Sequence, residues 1–376
     1  MDLIVYLLLF FTASYMLVAL FFFFGLSRLD NQPKTQQTPF ISVVIAARNE
    51  EQYIGKCLES LQQQTYPTDL FEIIIVDDDS TDTTSQIIKS THINNLTVLG
   101  VCDRFPEMAA KKRPMSVGID KARGEWILTT DADCTVPPTW IASMASFMTP
   151  ETGVVIGFSQ LKTPQENLTL FERLQALDFL TLMSAAAGAT GAGSPLAASG
   201  QNLAYRKTLF DQVGGFTKIA HRPSGDDVLL LQLLRKAWTG RIAFAQIPNA
   251  FATTWRPETP ASFWQQRKRW ASNAAYQLRL NPSFFAYITI VFLVNLFIPL
   301  GFLISFFQNS ITLPLVCWAL KISTDLLITG KGAYTFRRCD LLLMLPIWEV
   351  LQVPYTILIG LFGTLSGFTW KDRHHT

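Results

Sequence analysis

Charge is scarce in this chain. Only 16% of its 376 residues are Asp, Glu, Lys or Arg, against 49% hydrophobic residues, and the mean hydropathy is +0.24, which excludes an ordinary soluble globular protein. Cysteine is sparse in a way that excludes two further classes. The five cysteines, Cys57, Cys102, Cys134, Cys317 and Cys339, are odd in number, scattered and without a Cys-x-x-Cys spacing, so neither a disulfide framework nor a zinc site is expected. A net charge of +2 gives no footprint for nucleic acid, and no repeat of solenoid period is present. The glycine-rich phosphate loop of a dinucleotide fold is also missing from "DDDSTD", residues 77–82.

The distribution of the few charges is informative. Residues 3–26 contain none, enough at helical rise to cross a hydrocarbon core of about 30 Å. The segment follows Asp2 and lacks the basic leader and small-residue cleavage site of a secretory signal, so residues 1–27 are expected to stay as a transmembrane helix. Arg28 and Lys34 come next, and the positive-inside rule places the following region in the cytoplasm, at the plasma membrane. Polar, mixed-charge sequence over 38–281 suits one large domain. Residues 283–370 are again apolar, with about three membrane candidates at 284–307, 311–329 and 341–368. The second carries Lys321 and Asp325 and the third Glu349 with Pro346 and Pro354, so either is expected to be tilted, broken or partly interfacial. Three full crossings would put the basic tail "WKDRHHT" outside, against the positive-inside rule, so the number of crossings stays open.

Within the polar region, "ISVVIAA" (Ile41–Ala47), "EIIIVDDDS" (72–80) and "LTVLGV" (96–101) are short apolar runs rich in β-branched residues, the pattern of buried parallel strands. "EEQYIGKCLESLQQQ", "STDTTSQIIKS" and "MAAKKRPMSVGIDKA" lie between strands with apolar residues at helical spacing. The alternation predicts a doubly wound α/β sheet, whose ligands sit outside the carboxyl ends of the strands. The acids gather at those ends: "ARNEE" (47–51), Asp77 to Asp79, and Asp131 and Asp133 in "ILTTDADC".

So many carboxylates in one cleft need cations or donors. Two aspartates one residue apart suit Mg²⁺ or Mn²⁺, hard cations that take one or two carboxylates and fill their shell with substrate phosphate. Such a metal stabilises a departing diphosphate, which points to group transfer from a nucleotide diphosphate. The plain alternative is a polar turn after a buried strand. In "DDDSTD" a carboxylate suits a base edge or ribose hydroxyl, while Ser80 to Asp82 would equally cap the next helix. Lys111, Lys112 and Arg113 precede the metal strand and are placed to meet the diphosphate, unless they are simply solvated.

The second half supplies an acceptor side. "SGDD" sets Asp226 and Asp227 before an apolar helical run, and inverting sugar transfer needs one carboxylate to take the acceptor's proton. Asp227 is the expected base, against a reading in which Asp226 caps the helix and Asp227 favours its first turn. "ASFWQQRKRWASNAAYQLRLNPSF" predicts an amphipathic helix. Either it anchors at the interface or it brings Arg269 to the diphosphate and Trp270 to a sugar ring. "NLTLFERLQALDFLTLMSAAAGATGAGSP" predicts a helix along the membrane surface beside the acceptor entrance, followed by a flexible small-residue stretch, with core packing as the competing reading.

Taken in order, "VVIAARNEE", "IIIVDDDSTD", "KKRPMSVGIDKARGEWILTTDADC", "SGQNLAYRKTLFDQVGGF", "SGDD" and "QQRKRW" resemble the membrane-bound family 2 glycosyltransferases of GT-A fold, which include cellulose, hyaluronan and poly-N-acetylglucosamine synthases. The resemblance runs from about residue 39 to 270. It implies a GT-A domain flanked by membrane helices, with Glu50 and Asp78 on the uridine, Lys112 near the nucleotide, and Asp131 and Asp133 on the metal and diphosphate. It also implies Asp227 as base, Gln266, Arg269 and Trp270 closing the donor and acceptor pocket, and Gly200 and Asn202 in the acceptor wall. Two departures stand out. The usual Glu-Asp pair is Asp226-Asp227, which leaves the choice of base between them, and Asp79 replaces a glycine in the usual Asp-Asp-Gly-Ser turn.

The expectation is therefore an inverting hexosyltransferase that moves a sugar from a UDP-sugar, with Mg²⁺ or Mn²⁺, to a lipid or glycan acceptor at the membrane. A processive polysaccharide synthase is the alternative suggested by the Gln-x-x-Arg-Trp pattern. So few helices make a thin wall for a polymer channel unless a partner subunit or second copy adds to it. A membrane scaffold that binds nucleotide without catalysis is the alternative of another class, and a metal-dependent phosphohydrolase a further one.

Overall fold

The structure, a computed structural model, describes residues 2–375 except 103, 163–166, 256–258, 366 and 371–372. Part of the basic tail thus lies outside the described residues. A long helix α1 (Asp2–Arg28) leads into β1 (Ile41–Ala47), α2 (Ile54–Gln62), β2 (Phe71–Asp77), α3 (Thr84–Ser90), β3 (Leu96–Gly100), α4 (Lys112–Lys121) and β4 (Trp126–Thr129). The chain continues through β5 (Cys134–Thr135), α5 (Trp140–Ala145), β6 (Thr152–Gly157), β7 (Ser159–Leu161), α6 (Leu170–Gly191), β8 (Leu203–Arg206), α7 (Lys207–Gln212) and α8 (Val228–Ala237). It ends with β9 (Arg241–Ala245), β10 (Ala252–Thr254), α9 (Pro260–Ala271), α10 (Ala274–Leu280), α11 (Pro282–Phe307), α12 (Thr312–Thr335), α13 (Leu345–Leu365) and a short hairpin.

Seven strands form the main sheet in the order β3-β2-β1-β4-β8-β6-β9. β3, β2, β1 and β4 run parallel, while β8 is antiparallel to both β4 and β6. The parallel half is the alternation legible in the sequence. Because successive side chains point to opposite faces, each strand feeds two cores. Val44, Ile74, Val76 and Ile127 pack on one face with α4, α6 and α8. Val43, Ile45, Ile73, Ile75 and Leu128 pack on the other with α2 and α5. The strand order reverses between β1 and β4, and a crevice opens at their carboxyl ends. A second sheet, β5-β10-β7, pins the backbone just after the Asp131–Asp133 turn.

Among the described residues, four segments are long and apolar enough to cross a membrane: Leu3–Asn31, Pro282–Phe307, Thr312–Thr335 and Cys339–Gly363. Phe10, Leu17, Phe306 and Leu358 lie exposed on them. α12 runs through Lys321 and Asp325 without the break that was one of the expected outcomes, because those charges are paired inside the bundle. α6 follows the competing reading of core packing. It packs along α1 and α12, and the small-residue stretch expected to be flexible is helical up to Gly191. The reason is close approach: a Cβ on Gly188 would sit 2.4 Å from the Phe22 carbonyl oxygen, so only glycine allows α1 and α6 to touch.

Candidate active site

A cavity of about 970 Å³ occupies the crevice. β1 delivers Glu50, β2 delivers Asp78, β4 delivers Asp131 and Asp133, α8 starts with Asp226 and Asp227, and α9 supplies Gln266, Arg269 and Trp270; all of these line the cavity. The far wall is apolar. Phe179, Leu182 and Met183 from α6 face Phe284, Tyr287 and Ile288 from α11, so the cavity runs from the carboxylates to the base of the helix bundle.

The β1 and β2 ends are laced together. The Asn49 amide donates to Ser80 Oγ at 3.1 Å, and the Thr81 amide to Asn49 Oδ1 at 2.9 Å. Asp79 adopts φ = +55°, the left-handed conformation usually filled by glycine, so the turn keeps its shape with an aspartate in place. Arg48 reaches Asp78 at 3.8 Å.

Asp131, Asp133 and Cys134 offer ligand atoms that lie within 4.8 Å of one another. Burial holds the Cys134 thiol well above its usual value, and a hard cation prefers the oxygens of Asp131 and Asp133 to its sulfur. Two carboxylates that line the cavity side by side fit a hard divalent cation.

Lys111 occupies the centre. Its ammonium lies 2.5 Å from Asp131 Oδ1 and 3.3 Å from Asp226 Oδ2. Burial opposes its charge, but the two carboxylates outweigh burial and hold it protonated. The family resemblance implies Lys112 near the nucleotide, and the sequence offered Lys111, Lys112 and Arg113 together to the diphosphate. The structure instead buries Lys112 completely, with its Nζ donating to the Arg222 and Ser224 carbonyls at 2.5 and 3.0 Å, and burial pulls it down to about 8. It holds the loop before Asp226 from beneath.

The two aspartates of "SGDD" are held in different states. Burial pushes Asp226 up, but Lys111, Lys112 and Arg269 outweigh it and keep the carboxyl below the usual range. Asp227 is pushed up, first by burial and then by Asp226, although its oxygens accept from the Val228 amide at 2.5 Å and the Gly200 amide at 3.1 Å. Asp227 itself is therefore the cap of α8, the role the sequence reading gave Asp226. Gly200 lies close to both groups: a Cβ there would lie 3.2 Å from Lys111 Nζ and 3.3 Å from Asp226 Oδ2, so either side chain would have to shift by a few tenths of an ångström.

Asn202 is not part of the acceptor wall. It is buried behind the sheet, where its Nδ2 donates to the Phe158 and Ala250 carbonyls at 2.9 and 2.6 Å and its Oδ1 accepts from Trp140 Nε1 at 3.0 Å. Arg267, passed over in the sequence, is the structural centre of α9. It is buried, paired with Asp178 of α6 with a 2.8 Å bond from Nε, and bonded to Tyr355 of α13 at 3.1 Å. Its guanidinium lies 4.2 Å from the Trp270 ring centroid, and Phe179 approaches that ring at 6.0 Å.

Residues 42–214 match the family model described as glycosyl transferase family 2. The chain is 29% identical over 221 residues to the glycosyltransferase AglE of Haloferax volcanii, covering 58% of this chain and 66% of that protein. It is 26% identical over 246 residues to a beta-monoglucosyldiacylglycerol synthase of Nostoc sp., covering 65% of this chain and 50% of that protein. The chain thus spans half to two thirds of these relatives. Its fold is similar to that of a mannosyltransferase from Pyrobaculum calidifontis solved with GDP-Man and Mn²⁺, with a TM-score of 0.58, 17% identity, and coverage of 94% of this chain and 99% of that one. The carboxylate-lined crevice at the β1–β4 switch point thus lies in a segment, residues 42–214, that matches glycosyl transferase family 2, and the chain has a GT-A fold.

Proposed function

We propose that the chain transfers one sugar from a nucleotide-diphosphate sugar to a hydroxyl of a lipid or glycolipid at a membrane, with inversion. The observation that carries this reading is the single cavity joining Asp131, Asp133 and Asp227 to an apolar wall between α6 and α11. A donor held at the carboxylate end and a lipid entering from the bundle end would meet at Asp227.

Asp131 and Asp133 would hold Mg²⁺ or Mn²⁺, which supplies positive charge to the leaving diphosphate when bound. Lys111 and Arg269 add cations on the same side. Glu50 and Asp78 are assigned to the nucleoside, where carboxylates accept from a base edge or ribose hydroxyls. Asp226, kept ionised by Lys111, raises the proton affinity of Asp227. Asp227 then accepts the acceptor's hydroxyl proton as that oxygen attacks the anomeric carbon opposite the diphosphate. Trp270, its plane set by Arg267 and Phe179, flanks the acceptor sugar or headgroup. The four apolar helices would cross the plasma membrane with the domain on the cytoplasmic side.

UDP is the nucleotide expected from the resemblance, while the fold neighbour was solved with GDP-Man, so both belong in the test. The purified protein is given Mg²⁺ or Mn²⁺, labelled UDP- and GDP-sugars and membrane lipids. The reading expects label on a lipid as a single addition. Gln266, Arg269 and Trp270 in the cleft favour the processive alternative by resemblance, and long polymer as the product would select it. Nucleotide cleavage without any acceptor product would overturn both.

A further inference from the structure

A second polar cluster is enclosed where α1, α12 and α13 meet, away from the cleft. Lys321 of α12 is fully buried, and its ammonium donates to Asp325 Oδ2 at 2.5 Å, to Glu349 Oε2 at 2.9 Å and to Gln352 Oε1 at 2.8 Å. All three N–H groups are used. Tyr15 of α1 donates to the other Asp325 oxygen. Glu349 Oε1 is enclosed and accepts from nothing.

The charges do not balance. One ammonium faces two carboxyl groups, and a net negative charge inside an apolar bundle is costly. Among the described residues, no cation other than Lys321 forms an ion pair with Asp325 or Glu349. Tyr287 of α11 lies near Asp325 but is a phenol, Arg267 of α9 is bound to Asp178, and Arg338 before α13 is bound to Asp340. Both acids accept from the one Lys321 ammonium, Asp325 at 2.5 Å and Glu349 at 2.9 Å, which brings the two carboxyl groups side by side. Two carboxylates have only acceptors to offer each other, and such a contact forms when one of them carries a proton.

We propose that Asp325 and Glu349 form a proton-binding site, with one proton held between them as a Glu349 O–H donated to the Asp325 carboxylate. The cluster is then neutral: an Asp325 anion faces Lys321, Tyr15 and the Glu349 acid. The bound proton ties α13 to α12 and, through Tyr15, to α1. Tyr355, two turns along α13 from Glu349, carries that tie to Arg267 and α9.

The test is infrared spectroscopy of the full-length protein in lipid nanodiscs, with thermal unfolding of the same samples. The wild type should show the carbonyl band of a protonated carboxylic acid, and Glu349→Gln should lose it. Glutamine keeps an N–H for Asp325 and no charge, so this variant should unfold at the wild-type temperature, whereas Lys321→Met should unfold about 5 °C lower. Absence of the band in the wild type would overturn the proposal, as would Glu349→Gln destabilising as much as Lys321→Met. A missing band with an unfolding temperature that rises with sodium would assign the site to a metal cation instead.

Discussion

The molecule uses one lysine between two carboxyl groups twice, to opposite ends. In the crevice, Lys111 bridges Asp131 and Asp226, and the aspartates beside them, Asp133 and Asp227, face a large cavity. In the bundle, Lys321 bridges Asp325 and Glu349, and the remaining valences go to Tyr15 and Gln352. The first constellation leaves carboxylates lining an open cavity; the second is enclosed by the helices. The same residue types thus line an open crevice where the strand ends diverge and tie helices together where they converge.

The largest effect should come from opening the metal end. Asp133→Asn, or chelation of divalent metal in the wild type, is expected to lower transfer by roughly 10²- to 10³-fold in a labelled-sugar assay while leaving the unfolding temperature of the apoprotein unchanged. Exchanging the two lysines for methionine breaks the comparison directly. Lys111→Met should lose transfer by about 10²-fold and stay folded, because water can enter the crevice. Lys321→Met should lose about 3 kcal/mol of stability or more, because two carboxyl groups are left enclosed without a cation.

The pH profile sharpens the contrast. Asp227 must be ionised to act as base and its carboxyl is pushed above the ordinary aspartate value. Transfer should therefore fall as pH drops, along a limb lying above about pH 4. Removing the Lys111 charge favours the neutral acid, so the residual activity of Lys111→Met should show that limb at higher pH. An unmoved limb would assign it to another group. Smaller again is Arg267→Lys, which loses the planar contacts to Asp178 and Trp270. An acceptor KM about tenfold higher with a lesser change in kcat is expected from steady-state kinetics. Gly200→Ala should be the mildest, a few-fold loss of kcat as the new methyl displaces Lys111 and Asp226 by a few tenths of an ångström.

The parallel half of the sheet was legible because β1 and β2 are continuous β-branched runs bounded by turn residues, and the acids at their ends fell where such a sheet binds ligands. The antiparallel insertion of β8 between β4 and β6 was not, since its four residues, Leu203–Arg206, carry no period long enough to read. The choice of Lys112 over Lys111 turned on one residue. Helical phase does not separate them, because α4 is buried all round from Pro114 to Ile119 and both lysines lie in line with buried residues. The Arg267–Asp178 pair joins residues 89 positions apart, and nothing local announces it. The small residues of α6 read as flexible because composition alone does not distinguish a loop from a helix that must approach another closely.

The most direct test of the account compares binding and chemistry in Asp227→Asn. Donor affinity is measured calorimetrically with UDP- or GDP-sugar and Mn²⁺, and transfer is measured on the same preparation with lipid acceptor. The account predicts donor binding equal to the wild type and transfer reduced by about 10²- to 10⁴-fold. Transfer at the wild-type rate by Asp227→Asn would contradict it.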